Sequence, residues 1–357
     1  MDASFFIVLF KSLFFRGLGL LVVPLAVHAG SAYQHIESRS VSPAMAIGPL
    51  LKDQATSTRS GRYAFTRNHF EMGVWQNNWQ IAYTQSNDYI LHFSQATADI
   101  YQQDKAKQTL NSGGDKRLYF EAWQLRSQGL KLGYQFNLPQ GFYLVPSISW
   151  LQGMDFQQGT LDGIGGVADK DMSGSLDLHY RYSKDKLLED TASPDAAYGY
   201  ALALLVGWEN TVQAVWFKAD NMAGQVKWYA APITTGVFDT DRQAPGSMAA
   251  NALFIGKRYR EDFIQRLPFQ LTAHYHYDYK SWQYFVDADY YIKRMWLSPG
   301  ISYVGWAWAP FIAYEISGKE WQLGVKHRYL SFLLGSDRIP LKNAHAFSLQ
   351  LKLQQYW

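Results

Sequence analysis

The last twelve residues of the chain, Ala346 to Trp357, read AFSLQLKLQQYW. Phe347, Leu349, Leu351, Leu353 and Trp357 share one parity, and Ala346, Ser348, Gln350, Lys352, Gln354 and Tyr356 share the other. Side chains alternate between faces along a strand, so this is a strand with one apolar and one polar face that runs to the final residue. Gln355 alone puts a polar amide on the apolar side. A sheet of such strands in water would leave its edges unpaired; a closed barrel has no edges, and its apolar outside can dissolve in acyl chains.

The same period of two recurs along the chain. Leu130, Leu132, Tyr134 and Phe136 oppose Lys131, Gly133, Gln135 and Asn137, and Trp79, Ile81 and Tyr83 oppose Gln80, Ala82 and Thr84. Leu176, Leu178, Tyr180 and Tyr182 alternate with Asp177, His179, Arg181 and Ser183. The longest pattern lies in the C-terminal third. Phe269, Leu271, Ala273, Tyr275, Tyr277 and Tyr279 alternate with Gln270, Thr272, His274, His276, Asp278 and Lys280. After Ser281 the pattern resumes, with Trp282, Tyr284, Val286, Ala288, Tyr290 and Ile292 against Gln283, Phe285, Asp287, Asp289, Tyr291 and Lys293. This is a hairpin, and Lys280-Ser281 as its two-residue turn sets His274 opposite Asp287 and Thr272 opposite Asp289. A further strand places Trp321, Leu323, Val325 and Tyr329 against Gln322, Gly324, Lys326 and Arg328. Most segments approach the nine to eleven residues that a tilted strand needs to cross a bilayer.

Counting the segments predicts an all-β fold, a transmembrane antiparallel barrel of about 12–14 strands over residues 61–357. Short turns at Asn77-Asn78, 138–141, 209–210 and 280–281 alternate with polar stretches at 98–117, 152–173, 184–197 and 231–247, read as long loops. Residues 30–60 lack apolar alternation and read as an N-terminal periplasmic tail or a plug segment. Residues 1–29 carry Lys11 and Arg16, then an apolar run, then Val27-His28-Ala29, the layout of a cleaved signal peptide. Cysteine is absent, which removes disulfides and thiolate metal sites, and the formal charge of +3 gives no field for nucleic acid. The 24 Tyr and 13 Trp suit girdles at two membrane interfaces better than a soluble core.

In its closing strand and its alternating segments the chain resembles Gram-negative outer-membrane β-barrel proteins, porin-like or like solitary autotransporter barrels, although no single family is matched motif by motif. The resemblance implies an outer-membrane location, contact with outer-membrane lipids and lipopolysaccharide, and recognition of the C-terminal strand by the barrel-assembly machinery. It also implies short turns on the periplasmic side and long loops outside.

The polar parity supplies a charged lumen: His274, His276, Asp278, Asp287, Asp289, Lys293, Lys326 and Arg328, with Asp177, His179 and Arg181 farther up the chain. The opposite parity of the closing strand supplies the lipid contact of Phe347, Leu349, Leu351, Leu353 and Trp357. Bulky Phe285 and Tyr291 on the inner parity narrow the lumen. Three functions follow: a pore with a charged, partly occluded lumen, a non-conducting scaffold or adhesin, and a hydrolase. The hydrolase rests on His274 with Asp287, which resembles the Asp and His residues of omptin-type barrel proteases. It rests also on His92-Phe93-Ser94, which resembles the His and Ser of outer-membrane phospholipase A and the lipid A deacylases but continues with Gln95 where those have Asn. A lumen salt bridge accounts for the first pair and a polar lumen pair for the second, so the expectation is a barrel without enzymatic activity, cofactor or metal. Asp169-Lys-Asp171-Met-Ser173-Gly174 opens like an EF-hand loop, but its twelfth position is Tyr180 and the closing carboxylate is missing. Lys257, Arg258, Arg260 and Arg266 form a basic cluster suited to lipopolysaccharide phosphates or to a solvated loop.

Overall fold

A computed structural model describes residues 30–47, 61–105, 113–168, 171–184, 193–239 and 253–356. The signal-like segment 1–29, Trp357 and residues 48–60 lie outside the described residues. Seventeen strand segments form one sheet. In chain order they are β1 (Gly30–Val41), β2 (Tyr63–Gln76), β3 (Trp79–Phe93), β4 (Gly113–Tyr134), β5 (Phe136–Asn137), β6 (Phe142–Ala168), β7 (Asp171–Tyr182), β8 (Ala196–Glu209) and β9 (Gln213–Asp239). They continue with β10 (Leu253–Arg266), β11 (Gln270–Tyr279), β12 (Trp282–Tyr291), β13 (Arg294–Tyr303), β14 (Ala309–Glu315), β15 (Glu320–Lys326), β16 (Leu330–Ser336) and β17 (Ala346–Tyr356). One helix, α1 (Gln95–Lys105), follows β3.

Every ladder is antiparallel, and β1 pairs with both β2 and β17, so the sheet closes on itself. Three positions are held by two segments each. β5 continues β4 along β6. β7 and β8 lie end to end between β6 and β9. β10 and β11 lie end to end along β9, separated at Leu267-Pro268-Phe269, where proline removes a ladder donor. The barrel therefore has fourteen strand positions, an even number.

The lower ends are joined by tight turns. Asn77 and Asn78 both take positive φ, 48° and 69°, as a type I′ hairpin requires. The register of β11 on β12 is the one that the Lys280-Ser281 turn imposes: His274 faces Asp287 and Thr272 faces Asp289. The outer parity is apolar and exposed all round the ring, with Leu130 61%, Trp150 58%, Phe217 50%, Met295 59% and Leu323 57% accessible. A water-soluble protein does not display a belt of this kind, whereas a bilayer requires it. Aromatic pairs mark its lower edge: Trp79 with Tyr134, Tyr134 with Phe136, and Trp282 with Tyr303, at ring separations of 4.8, 4.8 and 5.0 Å. Among the described residues no helix is long and apolar enough to cross a membrane.

Four sequence expectations need correction. Gly30–Val41 is a strand of the wall, not a tail or plug. Its alternating set is polar (Tyr33, His35, Glu37, Arg39) while its outer set is only weakly apolar (Ala32, Gln34, Ile36, Ser38), so a search for apolar alternation passes over it. Of the stretches 152–173 and 231–247, expected as loops, the described residues 152–168 and 231–239 are the upper reaches of β6 and β9, which are 27 residues each, and the rest of the second stretch lies outside the described residues. Leu330–Ser336, not foreseen as a strand, is β16. Asp171–Gly174, expected in a loop with no ion bound, is paired along β6 and forms one arm of a hairpin.

Candidate functional site

The lumen is the part of the molecule in which side chains of many strands converge. Register fixes which parity enters it: Arg39 and Glu37 of β1, Phe65, Arg67 and Glu71 of β2, and Lys131 and Trp123 of β4 share a face with His274 of β11 and Asp287 and Asp289 of β12.

In the lower half these groups form a polar belt. His274 Nδ1 lies 2.6 Å from Asp287 Oδ1, and its Nε2 lies 3.2 Å from His276 Nδ1. The His274 ring stacks on Trp216 from the neighbouring β9, with centroids 5.5 Å apart. His276 stands 4.0 Å from Asp278, to which Gln283 donates at 2.9 Å. Lys326 places its ammonium over Phe285 and Phe311, at 4.8 and 5.2 Å from the ring centroids. On the facing wall, Tyr33 donates to Glu71 at 2.7 Å and Lys131 pairs with Glu71 at 3.1 Å. Lys352 is exposed, and the Asp287 side chain is 44% accessible, so this half leaves room for solvent.

Higher up, the opposing walls meet. β2 and β12 are seven positions apart on the fourteen-position ring and hence diametrically opposed. Even so, Arg39 donates to Asp289 at 3.1 Å, and Arg67 binds Glu37 with one nitrogen while the other faces Asp289 at 3.6 Å. Arg39 also faces the fully buried Glu315 at 4.0 Å. Two guanidiniums and three carboxylates thus form a bar across the lumen. Arg39 lies over Trp296 at 4.8 Å and Arg67 over Tyr291 at 5.3 Å, which ties the bar to an apolar layer above it.

That layer also crosses the lumen. Phe65 of β2 meets Tyr291 and Trp296 from the far wall edge to face, at 5.4 Å in both cases. Val41, Tyr63, Ile90 and Ala346 complete the cluster, and Trp123 links it to a second cluster of Leu125, Leu151, Phe156, Val226 and Trp228. Gln265 of β10 accepts from Trp228 at 3.1 Å and donates at 2.9 Å to the backbone carbonyl of Gln124 on β4, four ring positions away. A fourteen-strand wall has room for a channel, so closure here is the work of inward side chains.

The sequence-derived lumen residues divide by height. His274, His276, Asp278, Asp287, Asp289 and Lys326 come together as described. Lys293 sits in the tight β12–β13 turn with φ 61°, and Arg328 sits in the β15–β16 turn over Tyr329 at 5.0 Å. Both are exposed and do not line the lumen, because their strands end before them. Asp177, His179 and Arg181 lie on β7, whose partners on β6 are fifteen or more residues beyond Phe142. At roughly 2.5 Å of height per tilted residue that exceeds a hydrocarbon band about 25 Å tall. There the apolar parity of β7 is buried, with Leu178, Tyr180 and Tyr182 packed against Leu161 and Phe238, while Asp177 is exposed and Arg181 pairs with Glu261 at 2.9 Å. Above the bilayer, water and not lipid sets which parity is covered.

Of the two hydrolase constellations, the His274–Asp287 pair is in contact, whereas the partners of His92 and Ser94 lie elsewhere. Both His274 nitrogens are engaged, by Asp287 and His276. Ser94 is the N-cap of α1: its hydroxyl accepts from Thr97 N at 3.2 Å and donates to Arg117 O at 3.0 Å, while His92 faces Glu121 at 3.5 Å. The basic cluster lies on β10, where Arg260 is drawn to Asp195 at 3.0 Å. Phe347, Leu349, Leu351 and Leu353 take the outer parity of β17, opposite Ser348, whose hydroxyl binds the inward, buried Glu320.

No protein-family model matches the chain, and no curated protein matches it. Among solved structures the chain is similar to the TodX ΔS2S3 mutant monoaromatic hydrocarbon channel, at 8% identity over 93% of this chain and 90% of that one, TM-score 0.47. It is similar to the P. putida toluene transporter TodX, at 8% identity over 93% and 89%, TM-score 0.45. It is also similar to the β domain of the Bordetella autotransporter BrkA, at 10% identity over 92% and 98%, TM-score 0.27. The fold assignment rests on the closed ladders and the exposed apolar belt described above.

Proposed function

We propose that this protein is an outer-membrane channel that rests closed. The lumen is charged through its lower half and blocked above by the Arg39/Arg67–Glu37/Asp289 bar and the Phe65–Tyr291–Trp296 layer. The observation that carries the reading is the bar. A barrel serving only as a scaffold needs no charges in its centre, and a well-packed apolar interior would be at least as stable as buried ion pairs. Ion pairs that join opposite walls can exchange partners, so the bar has two states available, closed and parted; an apolar interior does not. Ionisable groups at membrane depth are expensive and mark a pathway by default. The Gram-negative outer membrane is the membrane that suits an antiparallel barrel with an apolar belt.

Planar-bilayer recording of the refolded protein tests this. The wild type gives a quiet baseline with rare openings, and Arg67→Ala and Asp289→Ala give frequent discrete steps. Silence of the wild type and of every bar variant would leave the scaffold reading in its place.

A further inference from the structure

Directly above the apolar layer lies a cavity of about 400 Å³, within the usual range of roughly 300–1,000 Å³ for small-molecule sites. Its floor is apolar: Val41, Tyr63 and Ala346 belong at once to the cavity lining and to the cluster that seals the lumen, and Pro43 adds to it. Its wall is polar and basic, built from the β14–β15 turn (Ser317, Gly318, Lys319) and from Asp337, Arg338 and His345 of the β16–β17 connection.

The charges are unevenly committed. Among the described residues Asp337 is the sole carboxylate in the lining, and its Oδ1 is taken by two backbone amides, His345 N at 2.7 Å and Ala346 N at 2.9 Å. Glu315, just beneath, accepts from Ser317 N at 2.6 Å and Gly318 N at 2.5 Å. Both acids thus hold the two loops in shape while keeping their charge, and Glu315 also faces Arg39 at 4.0 Å. Lys319 is exposed, and the Arg338 side chain is 42% accessible with only its Nε directed at Asp337, at 3.9 Å. Arg294 adds a third cation over the Tyr63 ring at 3.7 Å. A guanidinium fork and an ammonium standing over an apolar floor match a carboxylate on an apolar body.

We infer that this cavity is the extracellular recognition site of the barrel for a small organic anion carrying one carboxylate on an apolar body. The site rests on the channel reading only for its purpose, since binding is measured without conduction. Its position has one consequence for that channel. The turn that carries Lys319 is tied through Ser317 and Gly318 to Glu315, and Glu315 faces Arg39 of the bar, so an anion drawing Lys319 inward acts on the bar through a single carboxylate.

Isothermal titration of the full refolded chain in detergent, with cyclohexanecarboxylate as the probe, tests the inference. Its neutral isostere cyclohexanecarboxamide and inorganic phosphate are the comparisons. The carboxylate is expected to bind about ten-fold more tightly than either comparison, and Lys319→Gln combined with Arg338→Gln to lose about ten-fold in Kd. Both residues are exposed at the rim, so the double variant folds as the parent does. Equal binding of the amide, or unchanged binding in the double variant, overturns the role of the cations. Equal binding of phosphate overturns the role of the apolar floor. Should the channel reading alone fail, binding persists while every bar variant stays silent in bilayers.

Discussion

Replacing Arg67 by alanine removes the cation that Glu37 and Asp289 share across the lumen. Asp289 keeps Arg39 at 3.1 Å, but Glu37 is left with His35 at 3.9 Å as its one ion-pair partner among the described residues. A carboxylate is then unbalanced beneath a layer that excludes water. Deleting one partner of a buried pair costs roughly 3–5 kcal/mol, and loss of the guanidinium from the Tyr291 ring adds about 0.5–1 kcal/mol. Urea titration of the refolded protein, followed by tryptophan fluorescence, reads the total. The cause is isolated by Glu37→Gln combined with Arg67→Met, which removes both charges while keeping volume. That double variant should cost much less than the sum of the two single changes, with an interaction energy of roughly 1–3 kcal/mol. Additivity within about 0.5 kcal/mol would mean that the two groups do not depend on each other, and the reasoning about the bar would be wrong.

Three other expectations concern separate parts of the molecule. Leu323→Arg, in the middle of β15 on the exposed apolar parity, should cost about 2–4 kcal/mol in bilayers, and a cost near zero would place that face in water. Ser94→Ala should weaken α1 by about 1 kcal/mol and leave hydrolysis of a fluorogenic phospholipid at the baseline of the parent; a fall in hydrolysis would restore the enzyme reading. Above the bilayer, the hydrogen-bonded Arg117 guanidinium, 2.7 Å away, holds the Asp162 carboxyl below its ordinary value. The pair's contribution is therefore present above the unfolded carboxylate value and is lost as pH falls through the lower folded one, so carbonyl NMR of Asp162 should titrate below an unpaired aspartate and return to the ordinary range in Arg117→Gln.

Legibility in the sequence followed the contrast between the two faces of each strand. β11, β12 and β17 carry large apolar residues on one parity and charged or amide groups on the other, so both their existence and the facing of His274 with Asp287 could be read directly. β1 offered no such contrast, since Ala32, Gln34, Ile36 and Ser38 are barely apolar, although Tyr33, His35, Glu37 and Arg39 at steps of two were a visible signal of a lumen face. β6 and β9 read as shorter strands than they are, because their upper halves leave the lipid and polar, Gly-rich strands look like loops. The bar was out of reach for a different reason. Local pairing of neighbouring strands follows from turn length, but contact between Arg39 and Asp289, 250 residues apart, depends on how far the walls approach, which no periodicity encodes.

The meeting of opposite walls inside the lumen can be measured in this cysteine-free chain by placing one thiol on each side. Phe65→Cys combined with Tyr291→Cys, treated in bilayers with a short bifunctional thiol reagent, should give a fast intramolecular cross-link, seen as a shift on a denaturing gel. The same reagent should leave either single variant unshifted. A double variant that stays uncross-linked, with both thiols shown to react singly, would mean that the walls stand apart and that the resting barrel is an open pore.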